Sequence, residues 1–320
     1  MSTMRQKKKA DKTKALRAKI KDIEKKLNEK LTELQKSRDN NACFPLLMGE
    51  SSIVNAVVDD TFEELRLKYK SCDGKINVIV DSGGGDIDAA YNLANLFRKF
   101  GSKELHFIVP RWAKSAATLL VCSGDKIFMT PVAELGPLDP QITEFNPLEK
   151  RLESFSPLHV EATLELIRKE FADGNEKLAN GLMERLQFPL TLGSFTKSLD
   201  ISEQYLIKLL SSRMLKNDLE KAKQIAKQLT TGYADHGFSI NVDEAKQLGL
   251  NVTELADDEL DLIWNIHKLS REISGLEKKI REGQLSEIFE GLPPELLSQL
   301  PIALRKRIMP NKQSEGGGKQ

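Results

Sequence analysis

The chain has 320 residues, 40 % of them hydrophobic and 30 % charged, and a formal net charge of +1. This is the composition of a globular protein with an excess of helix, and its near-neutral charge gives no bulk attraction to nucleic acid. The polar first residues do not form a signal peptide, and no apolar run approaches the roughly 18 residues of a membrane span. We therefore expect a cytoplasmic location and no membrane partner.

The first predicted element is a basic helix over residues 4–38. Its apolar residues recur at heptad spacing, which predicts a coiled-coil seam: Leu16, Ile20, Ile23, Leu27, Leu31 and Leu34. Residues 1–40 carry fourteen Lys or Arg against six Asp or Glu. The run Lys7–Lys9 is a candidate contact for acidic partners, but the interpretation we favour is a solvated face on an assembly helix.

Residues 41–255 are predicted to form one α/β domain. Short β-branched or apolar strands alternate with helices, an order that indicates a largely parallel sheet. The predicted strands are Cys43–Met48, Ile76–Val80, His106–Val109 and Lys126–Met129, with a helix over about Ile53–Lys70.

A helical insertion is predicted over residues 158–229. Ser156-Pro157 starts one helix, and the capping-box pattern from Asp200 to Glu203 predicts the start of another. Phe238–Ile240 is expected to be extended, and a helix over Asp243–Leu248 should stop at Gly249. Residues 256–320 are predicted to hold a C-terminal helical segment and a disordered tail.

Three widely separated cysteines, Cys43, Cys72 and Cys122, form no CxxC pair. Their odd number and spacing do not suggest a disulfide framework or a structural zinc site. We expect no metal.

Two junctions between a strand and a helix carry the candidate chemistry. In the first, a strand ends at Asp81-Ser82 and three glycines follow; in the second, Ser115 stands at the mouth of a helix. Alone, each feature has an ordinary explanation, since glycine turns serve packing and most serines at helix starts are N-caps. Together they supply a nucleophile and backbone N–H groups for an oxyanion, which indicates a serine hydrolase.

Three stretches, IVDSGGGDIDAA, AKSAATLLVCSGDKIFMTPVAELGPLDPQ and HGFSINVDEAKQLGLNV, extend this pattern over roughly residues 43–252. They resemble the serine dehydrogenase proteinase (SDH) family of the Clp protease/crotonase superfamily. The resemblance implies a Clp protease/crotonase-like fold of repeated β-β-α and βα units. It also implies a serine endopeptidase that acts on peptide or protein substrates, assembles as a homo-oligomer and needs no cofactor.

The resemblance also implies roles for particular residues. Ser115 would be the nucleophile, His236 the general base and Asp139 the group that orients it. The backbone N–H groups of Gly84, or Gly85, and of Ala116 would form the oxyanion hole. Many members of the family carry an N-terminal membrane segment, where this chain has its basic helical arm.

Several alternatives remain open at this stage. Asp139 lies in a Pro-Leu-Asp-Pro turn, and His236 could be a structural loop residue. Lys114, or else Lys126, could replace the histidine in a Ser–Lys dyad. A catalytically silent scaffold would keep the same fold. A crotonase-type acyl-CoA enzyme would need pocket carboxylates and an adenine site, for which the sequence has no signal.

Overall fold

The computed structural model describes residues 2–49, 51–68, 73–139, 141–146, 151–185 and 192–290. Two compact units emerge: Met1–Lys30 together with Lys268–Gln320, and Leu31–His267. The three-part division expected from the sequence stays a prediction, and the predicted tail lies outside the described residues.

The second unit is built on a five-stranded, entirely parallel sheet. Its strands lie in the order β1 (Ala42–Leu47), β2 (Lys75–Asp81), β3 (Glu104–Val109), β5 (Lys126–Met129) and β9 (Val252–Glu254). The central strands are almost continuously buried, as expected for a parallel sheet covered by helices on both faces. The predicted α/β class with a parallel sheet is confirmed.

The crossover helices of the sheet are α2 (Asn55–Lys68), α3 (Ile87–Phe100) and α4 (Ala116–Val121). Helix α3 starts after the glycine turn because the Asp86 carboxylate accepts the Ala89 N–H at 2.7 Å. Its inner face is apolar, and Phe97 meets the rings of Phe44 and Phe107 edge-on. This packing holds the C-terminal part of α3 against β1 and β3.

The helical insertion contains α5 (Pro157–Ala172), α6 (Glu176–Arg185), α7 (Leu192–Ser212) and α8 (Leu219–Thr231). The predicted helix start at Asp200 is wrong, because Asp200 lies inside α7. A capping box starts a helix only where the preceding residues are not helical. Here no glycine or proline interrupts residues 194–199, so the helix continues through Asp200. Helix α9 (Val242–Leu248) ends, as predicted, at Gly249, whose φ is +93°.

Two small sheets were not predicted. Strands β4 (Trp112–Ala113) and β6 (Glu134–Leu135) form a parallel pair. Strands β7 (Ile142–Asn146) and β8 (Arg151–Phe155) form an antiparallel pair. The two-residue strands escape sequence analysis because no hydrophobic period can be read from so short a run.

The longest helices are α1 (Ser2–Ser37) and α10 (Asp257–Glu290). In the first unit, Ile20 and Ile23 of the predicted seam are buried against Leu276 of α10, and Lys19 pairs with Glu272 at 2.7 Å. This part of the seam is therefore covered from within the same chain. In the second unit, the Arg38 guanidinium beyond α1 pairs with Glu259.

Candidate active site

A run of short backbone pairings gathers four separate segments beyond the carboxyl ends of the main strands. We call it the site ladder: Ser82 pairs with Ala113, Ala113 with Leu135, and Leu135 with Ile240. Its hydrogen bonds include Lys114 N to Ser82 O at 3.1 Å and Leu135 N to Ile240 O at 2.9 Å. Each of the four paired residues lies within four positions along the chain of one predicted site residue: Gly84, Ser115, Asp139 and His236.

Ser115 occupies a strained backbone turn directly before α4. Its φ of 50° and ψ of −121° lie in a region that non-glycine residues rarely adopt, at a cost of about 1–3 kcal/mol. The side chain is half-buried and makes no capping hydrogen bond to the helix. The serine side chain therefore does not serve as an N-cap, and the strained turn resembles those that carry nucleophilic serines.

The glycine turn lies against this serine. A Cβ at Gly84 would stand 3.0 Å from Ser115 Cβ, 2.8 Å from Lys114 O and 3.4 Å from Ala116 N. The Gly84 N–H donates to Ser82 Oγ at 3.1 Å, so an incoming oxyanion would compete with that hydroxyl. Gly85 instead backs onto Ile53, with which it forms a parallel bridge.

His236 and Asp139 lie side by side without forming a hydrogen bond. Nδ1 of His236 is 4.0 Å from Oδ2 of Asp139, and this buried ring nitrogen makes no hydrogen bond within the described structure. The Asp139 side chain is 4 % exposed, whereas that of His236 is 35 % exposed. A shift of about 1 Å would bring the pair into hydrogen-bond range.

The Asp139 carboxylate is held in place from two sides. Ser156 Oγ donates to Oδ1 at 2.5 Å, and Gln141 Nε2 donates to Oδ2 at the longer distance of 3.2 Å. The preceding residue is anchored as well, since Leu138 N donates to Leu229 O at the end of α8. These contacts hold the buried carboxylate 4.0 Å from Nδ1 of His236.

Lys114 is tied down beside the serine. Its Nζ contacts Glu134 Oε2 at 3.0 Å and donates to the Phe238 carbonyl at 3.0 Å. These two contacts brace the loop that carries His236. Lys126 begins β5 at the amino-terminal edge of the sheet, opposite the site ladder. Neither arrangement suits a Ser–Lys dyad.

Glu134 completes this brace. Burial by itself would raise its pKa, but hydrogen bonds from Arg111, Lys114 and Ser239 outweigh it and lower the pKa to about 2. The carboxylate therefore remains charged at any pH at which the fold is expected to work, and it keeps Lys114 in position.

Two supporting groups had little or no sequence signal. Thr118 Oγ1 lies within hydrogen-bond distance of the carbonyl oxygens of Ala113 and Gly136, and it accepts the Gly136 N–H at 3.0 Å. These bonds join α4 to the segment that leads to Asp139. Asp81 accepts the Trp112 N–H and lies 2.7 Å from Nδ1 of His267, both side chains being buried. Long-range pairings of this kind cannot be read from local spacing.

The arrangement defines a class of α/β proteins in which a serine on a strained turn faces a glycine turn at the carboxyl edge of a parallel sheet. Residues 3–157 match the family described as ClpP-like SDH-type serine proteinase. The resemblance noted in the sequence is confirmed over this part of the chain.

Two uncharacterized proteins of Methanocaldococcus jannaschii are similar in sequence. One is 29 % identical over 66 % of this chain and 65 % of its own length, and the other 28 % identical over 61 % and 58 %. The chain thus spans less than two thirds of these curated relatives.

Similar solved structures include a mutant of the 1510-N membrane-bound stomatin-specific protease. It is 15 % identical, covers 69 % of this chain and 83 % of its own, and has a TM-score of 0.40. A ClpP1 mutant from Listeria monocytogenes is 15 % identical, covers 71 % and 99 %, and has a TM-score of 0.36. Identity and TM-score are low in both.

Membrane spans and metal-binding clusters are both absent from the described residues. None of their helices is both long and apolar enough to cross a membrane. In the same part of the chain, no group of three or more His, Cys, Asp or Glu residues is placed to hold a metal ion.

Proposed function

We propose that this protein is a serine endopeptidase with Ser115 as nucleophile, His236 as general base and Asp139 as the orienting carboxylate. The observation that carries the proposal is the site ladder, which joins the four segments bearing these residues and Gly84. The family match over residues 3–157 supports the same chemistry.

The mechanism follows from the roles of these groups. Ser115 Oγ attacks the carbonyl carbon of the scissile bond, and His236 accepts the hydroxyl proton. The resulting oxyanion is stabilised by the N–H groups of Ala116 and of Gly84 or Gly85. His236 then protonates the leaving amine, and water hydrolyses the acyl ester by the same steps in reverse. Asp139 stabilises the imidazolium and holds the ring orientation.

Substrate entry should complete two contacts that the free protein lacks. The 4.0 Å gap between His236 and Asp139 has to close, and the Gly84 N–H has to exchange Ser82 Oγ for the oxyanion if Gly84 is the donor. Catalytic hydrogen bonds are often long before substrate binds. The substrate class is peptide or protein, and a cytoplasmic homo-oligomer remains our expectation.

The test is labelling with a fluorophosphonate, which reacts with activated serines. The intact chain should be labelled at Ser115, and Ser115→Ala should abolish labelling, while Ser102→Ala at an exposed turn should not. His236→Gln should slow labelling by about 10²–10⁴-fold, the usual worth of a general base. The matched control is His106→Gln, because His106 lies on β3 away from the site ladder.

Other outcomes would point elsewhere. Failure to label the intact chain, with the fold retained by circular dichroism, would favour a silent scaffold. Tight retention on a coenzyme A resin without labelling would favour the acyl-CoA alternative. Labelling that survives His236→Gln unchanged would refute His236 as the base.

A further inference from the structure

A cavity of about 530 Å³ opens at the amino-terminal edge of the main sheet, opposite the site ladder. Ser102 and Asp125 line it, and these residues lie just before β3 and directly before β5. None of the residues assigned to peptide hydrolysis is in the described lining of this cavity.

Four basic side chains surround this cavity. Arg98 and Lys99 come from the last turn of α3, and Arg213 and Lys216 follow the end of α7. Asp125 is the single acidic side chain in the described lining. The concentration of positive charge is local, because the whole chain has a net charge of only +1.

Arg213 and Asp125 form a bidentate ion pair. The guanidinium donates from Nε at 2.8 Å and from Nη2 at 2.7 Å to the two carboxylate oxygens, and from Nη1 to the Gly101 carbonyl at 2.7 Å. The carboxylate also accepts the Leu105 N–H at 2.8 Å. Asp125 is therefore committed to Arg213 and to the start of β3, and it does not neutralise the other cations.

Arg98 has a buried hydrogen-bond donor without an acceptor in the described structure. Its Nε is buried and makes no hydrogen bond within the described structure. Burial lowers the pKa of Arg98, and repulsion from the nearby Arg213 lowers it further. A buried charged donor without an acceptor destabilises the site until an acceptor reaches it.

The negative ends of two helices offset only part of the positive charge. The C-termini of α3 and α7 each contribute roughly −0.5 of an elementary charge. Asp125 contributes −1, so the four cations are offset by about −2 and a local excess of about +2 remains. A polyvalent anion such as a phosphate would offset that excess.

We propose that this cavity binds a compact phosphate-bearing anion, with Arg98 as the buried donor and Lys99 and Lys216 closing over it. Guanidinium groups match the paired oxygens of phosphate. All described lining residues are polar or charged, so there is no surface on which a nucleotide base would stack. The ligand class is thus an inorganic or sugar phosphate.

Isothermal titration calorimetry with pyrophosphate tests the proposal, at an ionic strength held constant with sodium chloride. The intact chain should bind saturably with one site per chain. Arg98→Gln should weaken binding at least about tenfold, the worth of a hydrogen bond between charged groups. Lys223→Gln, at an exposed position on α8 paired with Glu220, should bind as the unmodified chain does.

Lys216→Gln is the second variant, because Lys216 is exposed and its replacement should not disturb folding. It should weaken pyrophosphate binding severalfold. No saturable heat from the intact chain, or equal affinity in Lys216→Gln and Lys223→Gln, would overturn the proposal. The readout does not involve peptidase activity, so its failure would leave the proposed function untouched.

Discussion

At the scale of single residues, the glycine turn makes the sharpest prediction. Gly84 has a φ of +110°, and a Cβ there would meet Lys114 O at 2.8 Å and Ser115 Cβ at 3.0 Å. Gly84→Ala should therefore cost about 1–3 kcal/mol in the free energy of unfolding, from backbone strain alone. It should also displace the Ser115 turn and reduce fluorophosphonate labelling by a larger factor than its loss of stability explains.

Gly83→Ala is the matched control for this substitution. A Cβ at Gly83 would meet no atom within 4 Å, and its φ is not positive. Urea unfolding and labelling should both be close to those of the unmodified chain. If the two variants behaved alike, the close approach of Gly84 to Ser115 would have no functional meaning.

At the scale of elements, Thr118 tests how α4, the helix that follows Ser115, is fixed. Its Oγ1 lies 2.6 Å from Ala113 O and 2.8 Å from Gly136 O, and it accepts the Gly136 N–H. Thr118→Val keeps the volume but leaves buried backbone groups without a partner, at about 1–3 kcal/mol. Labelling of Ser115 should also slow, because α4 would no longer be locked to the segment that carries Asp139.

Thr231→Val provides the comparison for Thr118→Val. Thr231 is exposed at the end of α8, where its hydroxyl donates to Lys227 O at 3.1 Å. Water replaces that bond, so both the midpoint of urea unfolding and the labelling rate should change little. Equal losses in the two variants would contradict a special role for Thr118.

The main elements could be predicted because each carries its own local signal. Apolar runs marked β1, β2, β3 and β5, and Gly249 marked the end of α9. The site ladder could not be predicted, since its pairings join residues far apart in sequence through two-residue strands. Ser115 was selected by its place at a strand–helix junction, and Asp139 and His236 were selected through resemblance. The brace through Lys114 and Glu134 emerged only from the structure.

At the scale of the whole molecule, acid stability depends on the carboxylates that are paired in the fold. Glu134 and Asp125 both have a lowered pKa, because hydrogen bonds from basic groups outweigh the effect of burial. A group with a lowered pKa stabilises the fold fully above its unfolded value and loses that contribution as the pH falls toward its folded value. Both carboxylates therefore work against unfolding at neutral pH.

For Glu134 the window can be stated, because its pKa falls from 4.5 to about 2. The free energy of unfolding of the intact chain should decline as the pH falls from about 4.5 toward 2, and Glu134→Gln should decline less over that range. At pH 7 the variant should be the less stable of the two, because Arg111 and Lys114 lose their charged partner.

Urea unfolding at a series of pH values measures this difference directly. Glu165→Gln, on the exposed face of α5, is the control, since its pair with Arg168 lies in solvent and should contribute little. Parallel pH profiles for the intact chain and Glu134→Gln would show that the Glu134 brace does not stabilise the fold. If the decline in stability between pH 4.5 and 2 were smaller only in Glu134→Gln, the stability of the molecule would depend on the residues that hold Lys114 against the His236 loop.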